Sequence, residues 1–278
     1  MLVIETVREI VPACSESVRP LGLVPTMGAL HDGHLALVKR ARLETQAVVA
    51  TIFVNPTQFG PQEDLSKYPG DEKRDLEMLR QQGVDLVFTP GAEEMYPPGF
   101  DTWVDVGALG DRLEGPHRPG HFRGVATVVT KLFSLTRPNR AYFGQKDGQQ
   151  LAVIRRLVRD LNLGLEIVAV PTVRDPDGLA QSSRNAYLTT SQREAAPVVY
   201  RALCRAEDLW RSGVMDAERM RAEVRAVLEK EPLVESIDYA SVADPESLDE
   251  LDQVQDRAMV SVAVRMGSTR LIDNVILE

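Results

Sequence analysis

The sequence is poor in cysteine, with only Cys14 and Cys204 among its 278 residues. Two thiols so far apart in the chain favour neither a disulfide framework nor a thiolate metal cluster. The longest largely apolar run, residues 47–54, is too short to cross a bilayer. The first residues carry Glu5 and Glu9 and lack a basic start, so they are unlike a signal peptide. We therefore expect a cytoplasmic protein without a membrane segment.

Two catalytic signatures are also missing. The chain contains no G-x-G-x-x-G fingerprint, which disfavours hydride transfer with a dinucleotide. It contains no G-x-S-x-G turn, and neither cysteine lies near a histidine in sequence, so an acyl-enzyme route has little support. The absence of both patterns directs attention to other polar clusters.

Excess positive charge is absent overall, since the formal net charge is −9, and this argues against general nucleic-acid binding. The distribution is uneven, however. Residues 112–184 hold 12 Lys and Arg against 6 Asp and Glu, whereas residues 201–278 hold 10 against 17. A basic middle in an acidic chain suggests a local anion site. The best candidates lie beside Gly, Pro or Ser: Arg118, Arg123, Lys146, Arg174 and Arg184.

Apolar runs alternate with helical patterns over the first 170 residues. Such a βαβ succession predicts a parallel sheet with crossover helices, that is, a Rossmann-like, doubly wound α/β domain. The predicted strands are 21–25, 47–54, 84–90, 141–144 and 165–170. The predicted helices are 35–45, 71–83, 123–138 and 148–161.

The remainder predicts a smaller α+β domain. Residues 171–190 are loop-like, so we place the division between domains 1–172 and 173–278. Ser191 and Glu194 form a capping-box pair that predicts a helix to about residue 210. A second helix over 216–230 is followed by strand patterns at 236–242, 258–266 and 269–277. The turn at residues 267–268 joins the last two strands, which predicts a small antiparallel sheet.

All four histidines fall in two pairs beside glycine, His31 with His34 and His117 with His121. The first pair forms an H-x-G-H string directly after a predicted strand, where a helix begins. Ligands of open α/β sheets bind at that edge, and a helix N-terminus attracts phosphate. The string alone leaves two alternatives open: a metal-binding pair, or ordinary residues at the start of a helix.

Several other stretches of the sequence, taken together with the H-x-G-H string, favour a functional interpretation of it. With its H-x-G-H, the chain resembles the nucleotidyltransferase superfamily, and more narrowly it resembles the pantothenate synthetase family over nearly its whole length. The matching stretches are residues 24–34, 52–59, 63–69, 118–133, 146–151 and 177–188.

The resemblance implies a two-step ligase. The pantoate carboxylate attacks the α-phosphorus of ATP, and the amine of β-alanine then displaces AMP to give pantothenate. A carboxylate is a poor nucleophile toward a polyanion, so the site must supply positive charge and alignment. The resemblance also implies Mg²⁺ with ATP, a homodimer, small-molecule substrates only, and neither nucleic-acid nor membrane partners.

The resemblance further implies roles for individual residues. His34 matches a proton donor, His31 a phosphate contact, and Lys146 and Arg184 the cations that meet the phosphates. Gln58 and Gln150 match glutamines that bind pantoate, with Gln58 also near β-alanine. The residues expected along ATP are Met27, Gly28, Ala29, Leu30, His31, Asp32, Gly33, His34, Gly144, Gln145, Lys146, Asp147, Val173, Gln181, Ser182, Ser183 and Arg184.

Four positions depart from the family pattern: Gly70, Gln145, Gly148 and Gln181. We expect Gly148 to weaken the start of its helix and to loosen the Lys146 loop. Two other functions remain open at this point. One is an adenylyltransferase that acts on a phosphorylated acceptor, and the other is a non-catalytic ATP-binding module.

Overall fold

The structure, a computed structural model, describes residues 1–60, 65 and 68–278. Contacts group the chain into two units. The first comprises Met1–Gly144 and Val153–Val170, and the second comprises Gln145–Ala152 and Pro171–Glu278. The division after residue 172 stays a prediction. Within the described part of the chain, no helix has the length and apolar character needed to span a membrane.

The first unit contains a six-stranded parallel sheet in the order β1-β4-β3-β2-β5-β6. Its strands are β1 (Leu2–Ile4), β2 (Leu21–Val24), β3 (Ala47–Thr51), β4 (Leu86–Phe88), β5 (Arg140–Gly144) and β6 (Glu166–Val170). The predicted Rossmann-like class and all five predicted strands are confirmed. The strand count was wrong by one, because β1 has only three residues and is too short to show a period of two.

Helices connect these strands. They are α1 (Val7–Glu16), α2 (Asp32–Glu44), α3 (Glu72–Gln81), α4 (Ala92–Met95), α5 (His121–Thr136) and α6 (Gly148–Asp160). Four of them, α2, α3, α5 and α6, correspond to the predicted helices, whereas α1 and α4 were not predicted. All five residues of β3 are buried, as expected for an inner parallel strand covered on both faces. The core between β2, β3 and α2 includes Val24, Val38, Val48 and Ala50.

The sheet reverses its strand order at β2, which lies between β3 and β5. Ligands of open α/β sheets bind outside the carboxyl ends of the strands at such a switch point. The chain that leaves β2 there carries residues 25–34. The topology therefore places the H-x-G-H segment at the edge where the sequence analysis expects a ligand.

The second unit is α+β, as predicted. Its strands and helices are α7 (Thr190–Ala195), α8 (Val198–Arg211), α9 (Ala217–Leu228), β7 (Ser236–Ala243), β8 (Ala258–Met266) and β9 (Thr269–Leu277). The strands form an antiparallel sheet in the order β7-β8-β9. Alternate residues of β8, such as Val260, Val262 and Val264, share a buried core with Leu203 of α8 and Val224 of α9.

One helix of this unit differs from the prediction. The expected capping pair, Ser191 with Glu194, is not the one that forms; Thr189 and Gln192 form the capping box instead. The single predicted helix is also two helices, α7 and α8, which meet at Pro197. Proline has no N–H to continue the hydrogen-bond ladder of a helix, so the chain breaks there. The apolar period runs through both helices and conceals the break.

Candidate active site

The segment after β2 is fixed by a buried carboxylate. Asp75, on α3 and only 1% exposed, accepts the N–H of Ala29 at 2.8 Å and the N–H of Leu30 at 2.9 Å. Gly28 has a φ of +82°, and a Cβ there would lie 3.0 Å from the Asp75 Oδ2. A glycine is therefore required at position 28 for both conformation and space. The sequence analysis missed Asp75, whose helical spacing gives no sign of its partners.

The two histidines of H-x-G-H cap α2. The Nδ1 of His31 accepts the N–H of Gly33 at 3.1 Å, and the Nδ1 of His34 accepts the N–H of His31 at 3.4 Å. A neutral imidazole that accepts at Nδ1 carries its proton on Nε2. Capping therefore sets both rings as Nε2–H donors, and their centroids lie 4.1 Å apart. The helix-start alternative is correct as a description of structure, and it is compatible with phosphate binding.

The amide of Gln58 is held in one orientation at the end of the segment after β3. Its Oε1 accepts the Nδ2 of Asn55 at 3.0 Å, and its Nε2 lies 3.1 Å from the Met27 Sδ. Asn55 is itself fixed, because its Oδ1 accepts the hydroxyl of Tyr96 at 2.7 Å. Burial raises the pKa of Tyr96, so the hydroxyl keeps the proton that it donates. The structure thus brings two predicted site residues, Met27 and Gln58, into contact.

The backbone of Gln58 has its own support from α5. The Nδ1 of His121 lies 2.8 Å from the Gln58 carbonyl oxygen, and its Nε2 lies 3.0 Å from the Nη1 of Arg118. Since guanidinium only donates, the His121 Nε2 accepts and its Nδ1–H donates to Gln58. Next on α5, a Cβ on Gly124 would lie 2.4 Å from the Thr57 carbonyl oxygen. The second histidine pair thus contributes one residue, His121, to the support of Gln58.

The Lys146 loop belongs to the second unit and is tied to β9. The Nδ2 of Asn274 donates to the carbonyl oxygens of Gln145, at 2.9 Å, and of Lys146, at 2.8 Å. The Nε2 of Gln145 donates back to the Asn274 Oδ1 at 3.1 Å. A Cβ on Gly148 would lie 2.5 Å from the Met259 Sδ and 3.1 Å from the Asn274 Nδ2. Glycine at position 148 thus gives this anchor its space, and the loosening expected from Gly148 stays a prediction.

The chain before the serine segment is held by the neighbouring residue of β9. Asp273, 3% exposed, accepts the Nη1 of Arg174 at 2.5 Å and its Nη2 at 3.1 Å. Burial raises the pKa of Asp273, and the charge and hydrogen bonds of Arg174 oppose that shift. The guanidinium also stacks on Tyr200, 3.8 Å from the ring centroid. Of the basic candidates, Arg174 is thus a structural cation.

The serine segment itself is a short turn that an internal bond stabilises. The N–H of Gln181 donates to the Val173 carbonyl at 2.9 Å, which closes a narrow loop. The Ser182 Oγ accepts the N–H of Arg184 at 3.3 Å and caps the 3₁₀ turn Ser183–Tyr187. Residues 181–185 are half-buried, as is Gln150 in the first turn of α6.

Some predicted features receive less support from the geometry. Of the resembling stretch 63–69, only Leu65, Tyr68 and Pro69 lie among the described residues. Within the described ranges, no group of three or more His, Cys, Asp and Glu side chains could hold a metal ion. The metal-pair alternative for His31 and His34 therefore has no third ligand in this part of the chain.

Comparisons with known proteins agree with this architecture. A family model described as pantoate-beta-alanine ligase matches residues 2–276. A pantothenate synthetase from Roseiflexus castenholzii is 58% identical over 278 residues, all of both chains. The crystal structure of the pantothenate synthetase from Thermus thermophilus matches with a TM-score of 0.94 and 50% identity, covering 99% of each chain.

A third similar protein is the pantoate-beta-alanine ligase from Francisella tularensis, solved in complex with beta-gamma ATP and β-alanine. It matches with a TM-score of 0.79 and 33% identity, covering 99% of this chain and 97% of that one. The family model covers nearly the whole chain, and a relative is 58% identical over its full length, which together establish the family. The chain belongs to the pantoate–β-alanine ligase family.

Proposed function

We propose that the chain joins pantoate to β-alanine in two steps through pantoyl adenylate. In the first step a pantoate carboxylate oxygen bonds to the α-phosphorus of ATP, and the bond from that phosphorus to pyrophosphate breaks. In the second step the β-alanine nitrogen bonds to the acyl carbon and loses a proton, and AMP leaves. The overall ligase activity follows from family membership.

ATP and β-alanine are proposed as substrates because the Francisella relative was solved with both kinds of molecule. The nucleotide assignment rests on the two histidines that cap α2. His31 and His34 lie at the N-terminus of α2, where the helix dipole favours anions, and each accepts at Nδ1 and so carries its proton on Nε2. We assign His31 to phosphate binding and His34 to proton donation to the departing phosphate. Residues 27–30, 32 and 33 form the backbone that follows the nucleotide.

Pantoate is assigned to Gln58 and Gln150. Its hydroxyls need both donors and acceptors, and a neutral amide supplies both without the cost of burying a charge. Gln58 is 8% exposed and oriented by Asn55 and His121, which suits a specificity contact. A role for Gln58 near β-alanine rests on the family resemblance alone.

Lys146 and Arg184 are the proposed cations of the reaction. Lys146 has an anchored backbone, and its Nζ lies 3.7 Å from the Asp147 Oδ1. We assign it to the phosphate that accumulates charge as pyrophosphate leaves, with Gly144, Gln145 and Asp147 beside it. Arg184, Ser182 and Ser183 supply a forked cation and hydroxyl donors for phosphate oxygens. Val173 and Gln181 complete the proposed nucleotide contacts.

Mg²⁺ is proposed as part of the ATP complex. Mg²⁺ keeps several waters and is commonly held by substrate phosphates with one or two carboxylates, so it needs no protein cage. The absence of a three-ligand cluster among the described residues fits such a mode. When bound, the ion would neutralise phosphate charge.

Three further expectations are also proposals: a homodimer, a cytoplasmic location and a domain division after residue 172. The location rests on the two cysteines, which are both free.

The test is exchange of labelled pyrophosphate into ATP. With enzyme, magnesium and pantoate but no β-alanine, label should enter ATP, and omission of pantoate should stop it. Arg184→Ala should slow exchange and synthesis together, whereas Arg211→Ala, an exposed arginine of α8, should change neither. Exchange that needs β-alanine, or amide formation without exchange, would refute the adenylate step. If exchange requires a phosphorylated acceptor, the chain is an adenylyltransferase. If no acceptor supports exchange, the chain is a non-catalytic ATP-binding module.

A further inference from the structure

We propose that Asn274 is a positioning residue that sets where Lys146 presents its ammonium group. The inference rests on the proposed role of Lys146 in phosphate contact. Asn274 lies on β9, 128 residues further along the chain than Lys146, and its side chain donates to the backbone carbonyl oxygen of that residue. We therefore expect Asn274 to act on the reaction through the loop that carries Lys146.

The side chain of Asn274 uses all its principal hydrogen-bonding capacity on this loop. Its two Nδ2 hydrogens go to the carbonyl oxygens of Gln145 and Lys146, and its Oδ1 accepts the amide of Gln145. Asn274 is 4% exposed, so its amide makes these bonds from a position shielded from solvent. A carbonyl oxygen that loses its donor is destabilised unless another donor replaces it, and this keeps the loop on its anchor.

The anchor is rigid because it belongs to a sheet. Asn274 pairs with Ser261 of β8, which in turn pairs with Ser241 of β7. Its backbone N–H also donates to the Asp273 Oδ1 at 2.8 Å, and that carboxylate is held by Arg174. The loop thus takes part of its position from a three-stranded sheet, in addition to the first turn of α6.

Gly148 is the second half of the same arrangement. Its missing side chain leaves the space that the Met259 Sδ and the Asn274 amide occupy. A Cβ at position 148 would lie 2.5 Å from the Met259 Sδ and 3.1 Å from the Asn274 Nδ2, so a larger residue there would move one of them. Glycine at position 148, where the family pattern differs, thus leaves the space that the Asn274 amide needs to reach the loop.

The test is a double-mutant cycle on turnover. Asn274→Ala should lower kcat by about 10- to 100-fold, the scale of loss for a misplaced catalytic group. In a Lys146→Ala background the same change should cost less than about 2-fold, because the group that it positions is gone. A purely structural role would give the same factor in both backgrounds. Equal factors would overturn the proposal.

The matched control is Ser261→Ala. Ser261 is the cross-strand neighbour of Asn274, is also buried, and its hydroxyl has no hydrogen-bond partner among the described residues. This change should leave kcat within 2-fold. Asn274→Asp is the second variant, for use if Asn274→Ala does not fold. It keeps the size of the side chain while placing an oxygen against two carbonyl oxygens, so it should lower kcat by the same roughly 10- to 100-fold. Normal kcat in either folded Asn274 variant would refute the positioning role, and pyrophosphate exchange that still requires pantoate would leave the proposed function standing.

Discussion

Gly124 is the position at which one methyl group should separate pantoate use from ATP use. A Cβ there would lie 2.4 Å from the Thr57 carbonyl oxygen, 2.6 Å from the Thr57 carbonyl carbon and 2.8 Å from the Gln58 nitrogen. All three atoms are backbone, so no side-chain rotation relieves the contact. Gly124→Ala must instead move the Pro56–Gln58 turn away from α5.

The displacement can be estimated from the contact itself. Lengthening the shortest distance to 3.0 Å moves the turn by about 0.6 Å, more than the roughly 0.5 Å within which a binding group must be held. Overpacking costs about 1–3 kcal/mol, and alanine regains about 1 kcal/mol of helix propensity. The net loss of stability, at most about 2 kcal/mol, leaves a fold of typical stability intact.

Because Gln58 moves with the turn, kcat/KM for pantoate should fall by about 10- to 100-fold while the KM for ATP changes little. Steady-state kinetics with each substrate varied in turn measures the split, and urea unfolding measures stability. Gly164→Ala is the control, since no atom lies within 4 Å of its added Cβ. Unchanged pantoate kinetics in Gly124→Ala would refute the link between this contact and substrate binding, and equal losses for both substrates would show a general distortion.

Three other outcomes are expected. His34→Ala and Lys146→Ala should each lower kcat by about 10²–10³-fold with a normal circular dichroism spectrum, because each removes one preorganised donor; normal turnover in either would exclude its role. Gln150→Leu should weaken pantoate binding far more than ATP binding, since it leaves hydroxyls unpaired, and titration of each ligand tests this. Cys14, whose pKa burial raises to about 11, should resist alkylation at pH 8 until urea unfolds the chain; labelling of the native protein would contradict this.

The fold was accessible from sequence where the signal is local and long. Each inner strand is a continuous apolar run of at least three buried residues between helices of period 3.6, so both type and order could be predicted. Two failures share one cause. β1 is too short to show a period, and the break at Pro197 lies inside a continuous amphipathic pattern. In both cases the hydrophobic pattern alone contains too little information.

The site was accessible only in part. His31 and His34 are predictable because they follow a strand at the edge where ligands of open sheets bind, whereas Gln58 was expected from the family resemblance alone. The supports of these segments are not predictable, because Asp75 is 45 residues from Leu30 along the chain, and His121 is 63 residues from Gln58. Of these supports only His121 carried a sequence signal, its pairing with another histidine beside glycine.

Position 148 shows why a local rule is not enough to describe the Lys146 loop. Judged by propensity, glycine at the start of a helix costs about 1 kcal/mol relative to alanine and frees the backbone. Judged by contact, the same glycine admits a buried amide that makes three hydrogen bonds to the loop, each worth about 0.5–1.5 kcal/mol net. The second effect is larger, and it depends on Asn274, which no window around position 148 contains. Asp75 also holds a backbone segment, since it accepts the N–H groups of Ala29 and Leu30 just before H-x-G-H. Changes at such anchors should therefore alter the rate of the reaction more than the affinity for any one substrate.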